Sequence, residues 1–170
     1  TRGWRKRRIA AVEAWADLRQ TQRFRDCSLI VLGDPLDTEE VQAIQRCGAV
    51  DGAVTQLAGV SDHELADLYA HARALLQLSK YEGFGWPIIE AQAHGVPVLA
   101  TDAELFREVA GRHACFLNDA ELADRSVAHW ERVAEALGAV DVESARTAVN
   151  RFSWNGFPER LIAAATGRAA

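Results

Sequence analysis

Two glutamates, Glu82 and Glu90, stand eight positions apart around small and aromatic residues, Glu82-Gly83-Phe84-Gly85-Trp86-Pro87-Ile88-Ile89-Glu90. A carboxylate pair can act as the acid and base of a hydrolase. Sequence spacing does not set separation in space, so the pair by itself fits that chemistry, two solvated side chains, or a hydroxyl-binding site. The intervening residues weigh toward the third. Gly83 and Gly85 permit backbone angles and close approaches that a side chain would block. Pro87 suits the first position of a helix, where its missing N–H costs nothing. The N–H groups of Gly83, Phe84 and Gly85 then lie at a helix N-terminus, which carries about half a positive charge and is suited to a phosphate. Carboxylates that face hydroxyls, beside N–H groups that face phosphate, match a nucleotide-sugar, which offers both kinds of group.

The elements that would position this loop are legible on either side of it. The short apolar run 74–78 reads as a strand buried on both faces. Gly95 stops the helix after the loop, and 96–100 reads as a second buried strand. This is a βαβ unit, and in open α/β sheets ligands bind at the carboxyl ends of the strands. Upstream, a helix is expected to run to about Leu18 on an apolar stripe of Ile9, Val12 and Trp15/Ala16. A strand over 28–32 ends at Gly33, and Thr38 can cap the next helix, with Glu39 and Glu40 in its first turn. A short strand over 53–57 follows, then a capping box from Ser61 to Glu64 with Val60 and Leu65 as its staple. Downstream, Asp102 can cap a helix to Ala110. Residues 114–117 read as a last short strand, and Asn118 to Glu121 opens a helix through Leu137. Strands and helices in alternation mean an α/β fold, with a Rossmann-like parallel sheet covered by helices on both faces.

The length of 170 residues suits one domain, and 49% hydrophobic residues suffice for a core. The net charge is −5, yet eight of the nineteen Lys and Arg fall within residues 1–25. The rest of the chain is acidic and lacks a matching basic or aromatic face, which argues against a nucleic-acid partner. Cys27, Cys47 and Cys115 lack metal spacing and read as buried free thiols of a reducing compartment. The five histidines, His63, His71, His94, His113 and His129, are scattered and read as solvated or packing side chains. No signal peptide and no 18-residue apolar run is present. The chain contains no Met and is expected to be a piece of a longer protein. No G-x-G-x-x-G follows the first strand, which speaks against an NAD enzyme.

The string from Glu82 to Glu90 resembles the E-x7-E signature of retaining glycosyltransferases of the GT-B fold, in the large family 4 group also known as glycosyl transferases group 1. Its continuation through Ala91-Gln92-Ala93-His94-Gly95-Val96-Pro97-Val98-Leu99-Ala100-Thr101-Asp102 is similar to the family's "EAMACGVPVIASD". Thr1, Arg5 and Lys6 match positions of its "GT-x-x-P-R-K-N" loop, with Trp4 for the Pro and Arg7 for the Asn. Residues 57–69 resemble "LG-x-V-S-x-x-E-L-x-x-L-Y", and Phe152-Ser153-Trp154 resembles "FSW". The helix expected from Asp102 to Ala110 resembles "SLPEVAG", with Arg107 for the Pro. The resemblance implies that 1–170 is the C-terminal, donor-binding half of a GT-B enzyme, with 152–170 a closing helix and the N-terminal acceptor domain absent.

By the same resemblance Lys6 and Glu82 are the catalytic positions. Arg5, Gly83, Phe84, Gly85 and Trp86 would bind the donor's diphosphate and sugar. Glu90 would bind the ribose hydroxyls, and Val60 the base. The donor would be a nucleoside-diphosphate sugar, no metal or other cofactor is expected, and no Asp-x-Asp motif is present. The location implied is cytoplasmic, with at most peripheral association with the inner membrane face. The acceptor stays open among lipid, glycan and protein. By itself the half-enzyme should transfer little. A catalytically inactive nucleotide-sugar-binding module of a larger assembly is the alternative.

Overall fold

The structure is a computed structural model that describes residues 7–50 and 52–152. The readings at Thr1, Trp4, Arg5, Lys6, Ser153 and Trp154, and the closing helix beyond Phe152, lie outside the described residues.

Among the described residues five strands alternate with helices. In chain order they are α1 (Arg8–Leu18), β1 (Leu29–Leu32), α2 (Thr38–Arg46), β2 (Val54–Leu57), α3 (Asp62–His71), β3 (Leu75–Gln77), α4 (Trp86–Ala93) and β4 (Val98–Thr101). There follow α5 (Glu104–Ala110), β5 (Cys115–Leu117), α6 (Asp119–Ala123), α7 (Val127–Gly138), α8 (Val142–Ala148) and a 3-10 turn, Val149–Phe152. β3, β4 and β5 form a three-stranded parallel sheet, with Leu76 opposite Leu99 and Ala100 opposite Phe116. β1 and β2 form a separate parallel pair.

The single sheet expected from the alternation is therefore two sheets. The facing edges of β1 and β3 share no hydrogen bonds. Between them lies a cavity of about 1270 Å³ whose walls include Leu29, Ile30, Val31, Leu32, Leu75 and Leu76. This accounts for Ile30 and Leu32, which stay 43% and 42% exposed although they are strand residues.

The three-stranded sheet carries a core on each face. Alternation along β4 sends Leu99 to one side, where it packs with Leu78 and Leu117 against Ala14 and Leu18 of α1 and Trp130, Val133 and Leu137 of α7. Val98 and Ala100 go to the other, against Ile88, Ile89 and Ala91 of α4, Phe106 and Val109 of α5, and Tyr69 of α3. All four residues of β4 are buried, as a strand covered on both faces must be.

Several boundaries differ from the sequence reading, each for a local reason. Asp37, not Thr38, caps α2, because its carboxylate takes the Glu40 N–H at 2.9 Å while Glu40 reaches back to the Asp37 N–H. Asp102 does not cap α5; Ala103 holds that position, and the Asp102 carboxylate is gripped by both arms of Arg107 at 2.5 and 2.8 Å. The helix expected from Asn118 through Leu137 breaks after Ala123. Ser126 caps a new helix by accepting the His129 N–H, and the Trp130 indole N–H donates to the Asp124 carbonyl across the break at 2.7 Å. The helix α8 was not anticipated. All three cysteines are half-buried rather than buried, and burial pushes each thiol above its ordinary range, which leaves them poor nucleophiles. His129 is buried. Among the described residues no helix is long and apolar enough to cross a membrane.

One charge in this frame works against stability. Asp17, on α1, is 4% exposed, with Arg125 at 2.9 Å. Desolvation outweighs that cation and raises its pKa from 3.8 to about 6. A carboxyl whose folded pKa exceeds its unfolded one destabilises the fold most above pH 6, and the penalty fades as pH falls from 6 toward 3.8. The melting temperature of Asp17→Asn, relative to wild type, should therefore rise as pH is raised from 4.5 to 8. A difference that stays flat or falls over that interval would contradict the assignment.

Candidate functional site

The loop at the carboxyl end of β3 starts from a buried polar network. Gln77 and Ser79 are 8% and 3% exposed, at positions where an apolar strand would place Val or Leu. The Ser79 hydroxyl donates to Glu82 Oε1 at 2.7 Å, and Gln77 Nε2 donates to the same oxygen at 3.1 Å and to Ser79 Oγ at 2.6 Å. Glu82 is half-buried, so the chain end of the strand holds one carboxylate oxygen inward. Among the described residues Oε2 accepts no hydrogen bond.

Gly83 and Gly85 serve different purposes. Gly85 is buried, is the N-cap of α4 and has φ 88°, a left-handed conformation that costs an L-residue about 1–2 kcal/mol. Gly83 has no positive φ, and a Cβ built on it would meet nothing within 4 Å. Trp86 is the first helical residue and Pro87 the second, one place later than expected. Among the described residues the N–H groups of Gly83, Phe84 and Gly85 donate to no protein acceptor.

Glu90 sits on the first turns of α4, half-buried, and its Oε2 accepts from the Tyr69 hydroxyl at 3.0 Å. At the other end of α4 the Gly95 N–H donates to the Gln92 carbonyl and the Val96 N–H to the Ala91 carbonyl, a Schellman stop with Gly95 at φ 73°. Phe84 and Trp86 are exposed and in ring contact at 4.9 Å, and Phe152 meets Phe84 edge-on at 5.7 Å. The 3-10 turn Val149–Phe152 thus touches the glycine loop through Phe152. Arg151 fastens it by donating to the Glu108 and Val109 carbonyls at 2.6 and 3.0 Å.

Asp119, the first residue of α6, brings basic residues to the same end of the sheet. It pairs with Arg7 at 2.6 Å and Lys80 at 3.1 Å, and those donors hold its carboxyl below the ordinary range. Arg7 caps α1 in a left-handed conformation, φ 48°. Ser61 and Glu64 form the expected capping box of α3, which leaves Val60 half-buried just before it.

The structure thus gathers Glu82, Gly83, Phe84, Gly85, Trp86 and Glu90 on one loop and helix end, while Lys6 and Arg5 lie outside the described residues. Sequence reasoning missed Gln77, Ser79, Tyr69 and Asp119. The signal for the first two was two polar residues flanking Leu78 at the end of an otherwise apolar strand. Among the described residues no group of three His, Cys, Asp or Glu could hold a metal ion.

Residues 3–138 match the glycosyl transferases group 1 family. The chain belongs to that family. It is 41% identical over 108 residues to the serotype-specific mannosyltransferase WbdA of Escherichia coli, covering 62% of this chain and 13% of WbdA. It is 33% identical over 130 residues to the O-antigen chain mannosyltransferase B of Escherichia coli, covering 71% of this chain and 32% of that protein. It is 29% identical over 153 residues to the mannosylfructose-phosphate synthase of Agrobacterium fabrum, covering 82% of this chain and 33% of that one. The chain thus spans at most about a third of these relatives. In fold it is similar to WaaG, a glycosyltransferase involved in lipopolysaccharide biosynthesis, at TM-score 0.68 and 23% identity over 98% of this chain and 45% of WaaG. TarM aligns at TM-score 0.69 and 15% identity, over 93% of this chain and 32% of TarM. The architecture is that of a GT-B glycosyltransferase.

The two glycines separate by stability alone. Gly85→Ala should lower unfolding free energy by about 1–2 kcal/mol in a denaturant titration. Gly83→Ala should leave it within about 0.5 kcal/mol, as for a surface substitution. Equal losses at the two positions would show that the loop is built otherwise.

Proposed function

We propose that this chain is the donor-binding half of a retaining glycosyltransferase that moves a mannosyl group from a nucleoside-diphosphate sugar to an acceptor hydroxyl. The observation that carries the reading is the pair Glu82 and Glu90. Each is held by one oxygen to a buried donor of the protein, and they lie at opposite ends of a loop whose Gly83, Phe84 and Gly85 N–H groups have no protein acceptor among the described residues. Mannose is favoured because mannosyl transfer appears in the names of several relatives.

In this reading Glu90 accepts from the ribose hydroxyls and Glu82 from a hydroxyl of the donor sugar. The N–H groups of Gly83, Phe84, Gly85 and Trp86 face the sugar and the diphosphate. Charge-assisted bonds of this type are worth about 1.5–3 kcal/mol each. Val60, in the loop before α3, lies toward the base. The bond between the anomeric carbon and the phosphate oxygen breaks, and its electron pair stays on the diphosphate. The acceptor oxygen bonds to the anomeric carbon on the face the diphosphate leaves from, and gives up its proton to the departing diphosphate oxygen. The rising charge on the leaving diphosphate is stabilised by Lys6, Arg5 and the N-terminus of α4, as fixed dipoles and cations whose orientation is set before reaction. The acceptor is held by a further domain, so the chain by itself binds donor weakly and transfers little.

Calorimetric titration with UDP, GDP and ADP tests this. One nucleoside diphosphate should bind, and Lys6→Ala and Glu90→Ala should each weaken it about tenfold or more. Gly83→Ala should weaken it while leaving the fold intact. Binding undiminished in all three variants would overturn the reading.

A further inference from the structure

Glu90 is held by a residue to which no role has yet been given. Tyr69 comes from α3, a different βα unit, and is 8% exposed. Its hydroxyl lies 3.0 Å from Glu90 Oε2 and 3.4 Å from the Pro87 carbonyl oxygen. Its ring stacks on His94 at 5.3 Å between centroids and 22° between planes. The His94 ring is fixed in turn by a contact of 2.8 Å between Nδ1 and the Glu90 carbonyl oxygen. Tyr69 thus cannot rotate away without breaking a stack and a hydrogen bond on the same helix. A carboxylate has two oxygens; a buried phenol that claims one fixes the plane of the group and aims the other.

We propose that Tyr69 is a positioning residue that holds the Glu90 carboxylate in the orientation needed to accept both hydroxyls of a ribose. The inference rests on the donor-site reading above. It adds that recognition of the ribose is set by contact between two βα units, not by α4 alone. Burial and the Glu90 charge push the Tyr69 pKa upward, so the phenol keeps its proton and remains a donor throughout the physiological range. Among the described residues no other side chain donates to Glu90.

The test is a thermodynamic cycle between the phenol and the ribose hydroxyls. Wild type, Tyr69→Phe, Glu90→Ala and the double variant would each be titrated with GDP, UDP and ADP and with the 2′,3′-dideoxy form of each. Phe keeps the ring and its stack on His94, and circular dichroism with a melting curve would verify the fold. Tyr69→Phe should weaken the bound ribonucleotide about 5- to 20-fold, the value of one hydrogen bond to a charged group. It should not change affinity for the dideoxy nucleotide, and it should add nothing in the Glu90→Ala background. A penalty equal for ribo and dideoxy nucleotides, or one that persists without Glu90, overturns the inference and leaves the donor site standing. Failure of wild type to bind any of the three ribonucleotides overturns the donor-site reading and this inference with it.

Discussion

The strand Val98–Thr101 is buried on both faces, and the rest of the arrangement follows from that requirement. A strand with no solvent face must be largely apolar, as Val98, Leu99 and Ala100 are, and covered twice, so its neighbours in the sheet and the helices on each side are fixed together. Leu99 calls for α1 and α7 on one side; Val98 and Ala100 call for α4 and α5 on the other. β3 pairs with β4 through Leu75, Leu76 and Gln77, so the end of β3 and the start of α4 cannot move apart. The loop between them is held at both ends by elements packed into these cores, and binding loops gain their precision from such a rigid support.

Two polar devices then work against the apolar frame. Gln77 and Ser79 take buried positions that Val or Leu could fill, and Tyr69 carries a hydroxyl into the second core. Each is satisfied by a glutamate, which is why burial is tolerated: a buried polar group costs little only when its hydrogen bond is made. The same bonds take one oxygen of each carboxylate and leave the other without a donor among the described residues. In the proposed role this is preorganisation, since the orienting cost is met in folding and not when the ligand arrives.

Much of this was legible in the sequence, and the misses have a common cause. The βαβ unit around Glu82–Glu90, the Gly95 stop and the Ser61–Glu64 box were read correctly because each depends on residues adjacent in the chain. Asp102, Thr38 and the 118–137 helix were misread because a competitor decided them. Arg107 claimed the Asp102 carboxylate, Asp37 had its own partner in Glu40, and Ser126 offered a second cap within the expected helix. Tyr69, Asp119 and the gap between β1 and β3 depend on contacts between distant segments, and periodicity carries no record of these. Tyr69 stands 21 positions from Glu90, and nothing local to either residue announces the bond.

The electrostatics of the site also become coherent once distant contacts are included. Two carboxylates beside a phosphate-suited helix end look repulsive on paper. Yet each has one oxygen tied to donors inside the protein, Ser79 and Gln77 for Glu82 and Tyr69 for Glu90. Asp119 adds a third carboxylate nearby, but its two oxygens are taken by Arg7 and Lys80, so it serves to hold basic side chains at that end of the sheet. The position of Arg7, left-handed at the N-cap of α1, fits this reading: a basic residue at the positive end of a helix is unfavourable, and the Asp119 ion pair offsets that cost. In the proposed role, a diphosphate approaching the Gly83–Gly85 amides meets carboxylates that are each tethered by one oxygen to the protein, while Asp119 holds Arg7 and Lys80 in ion pairs.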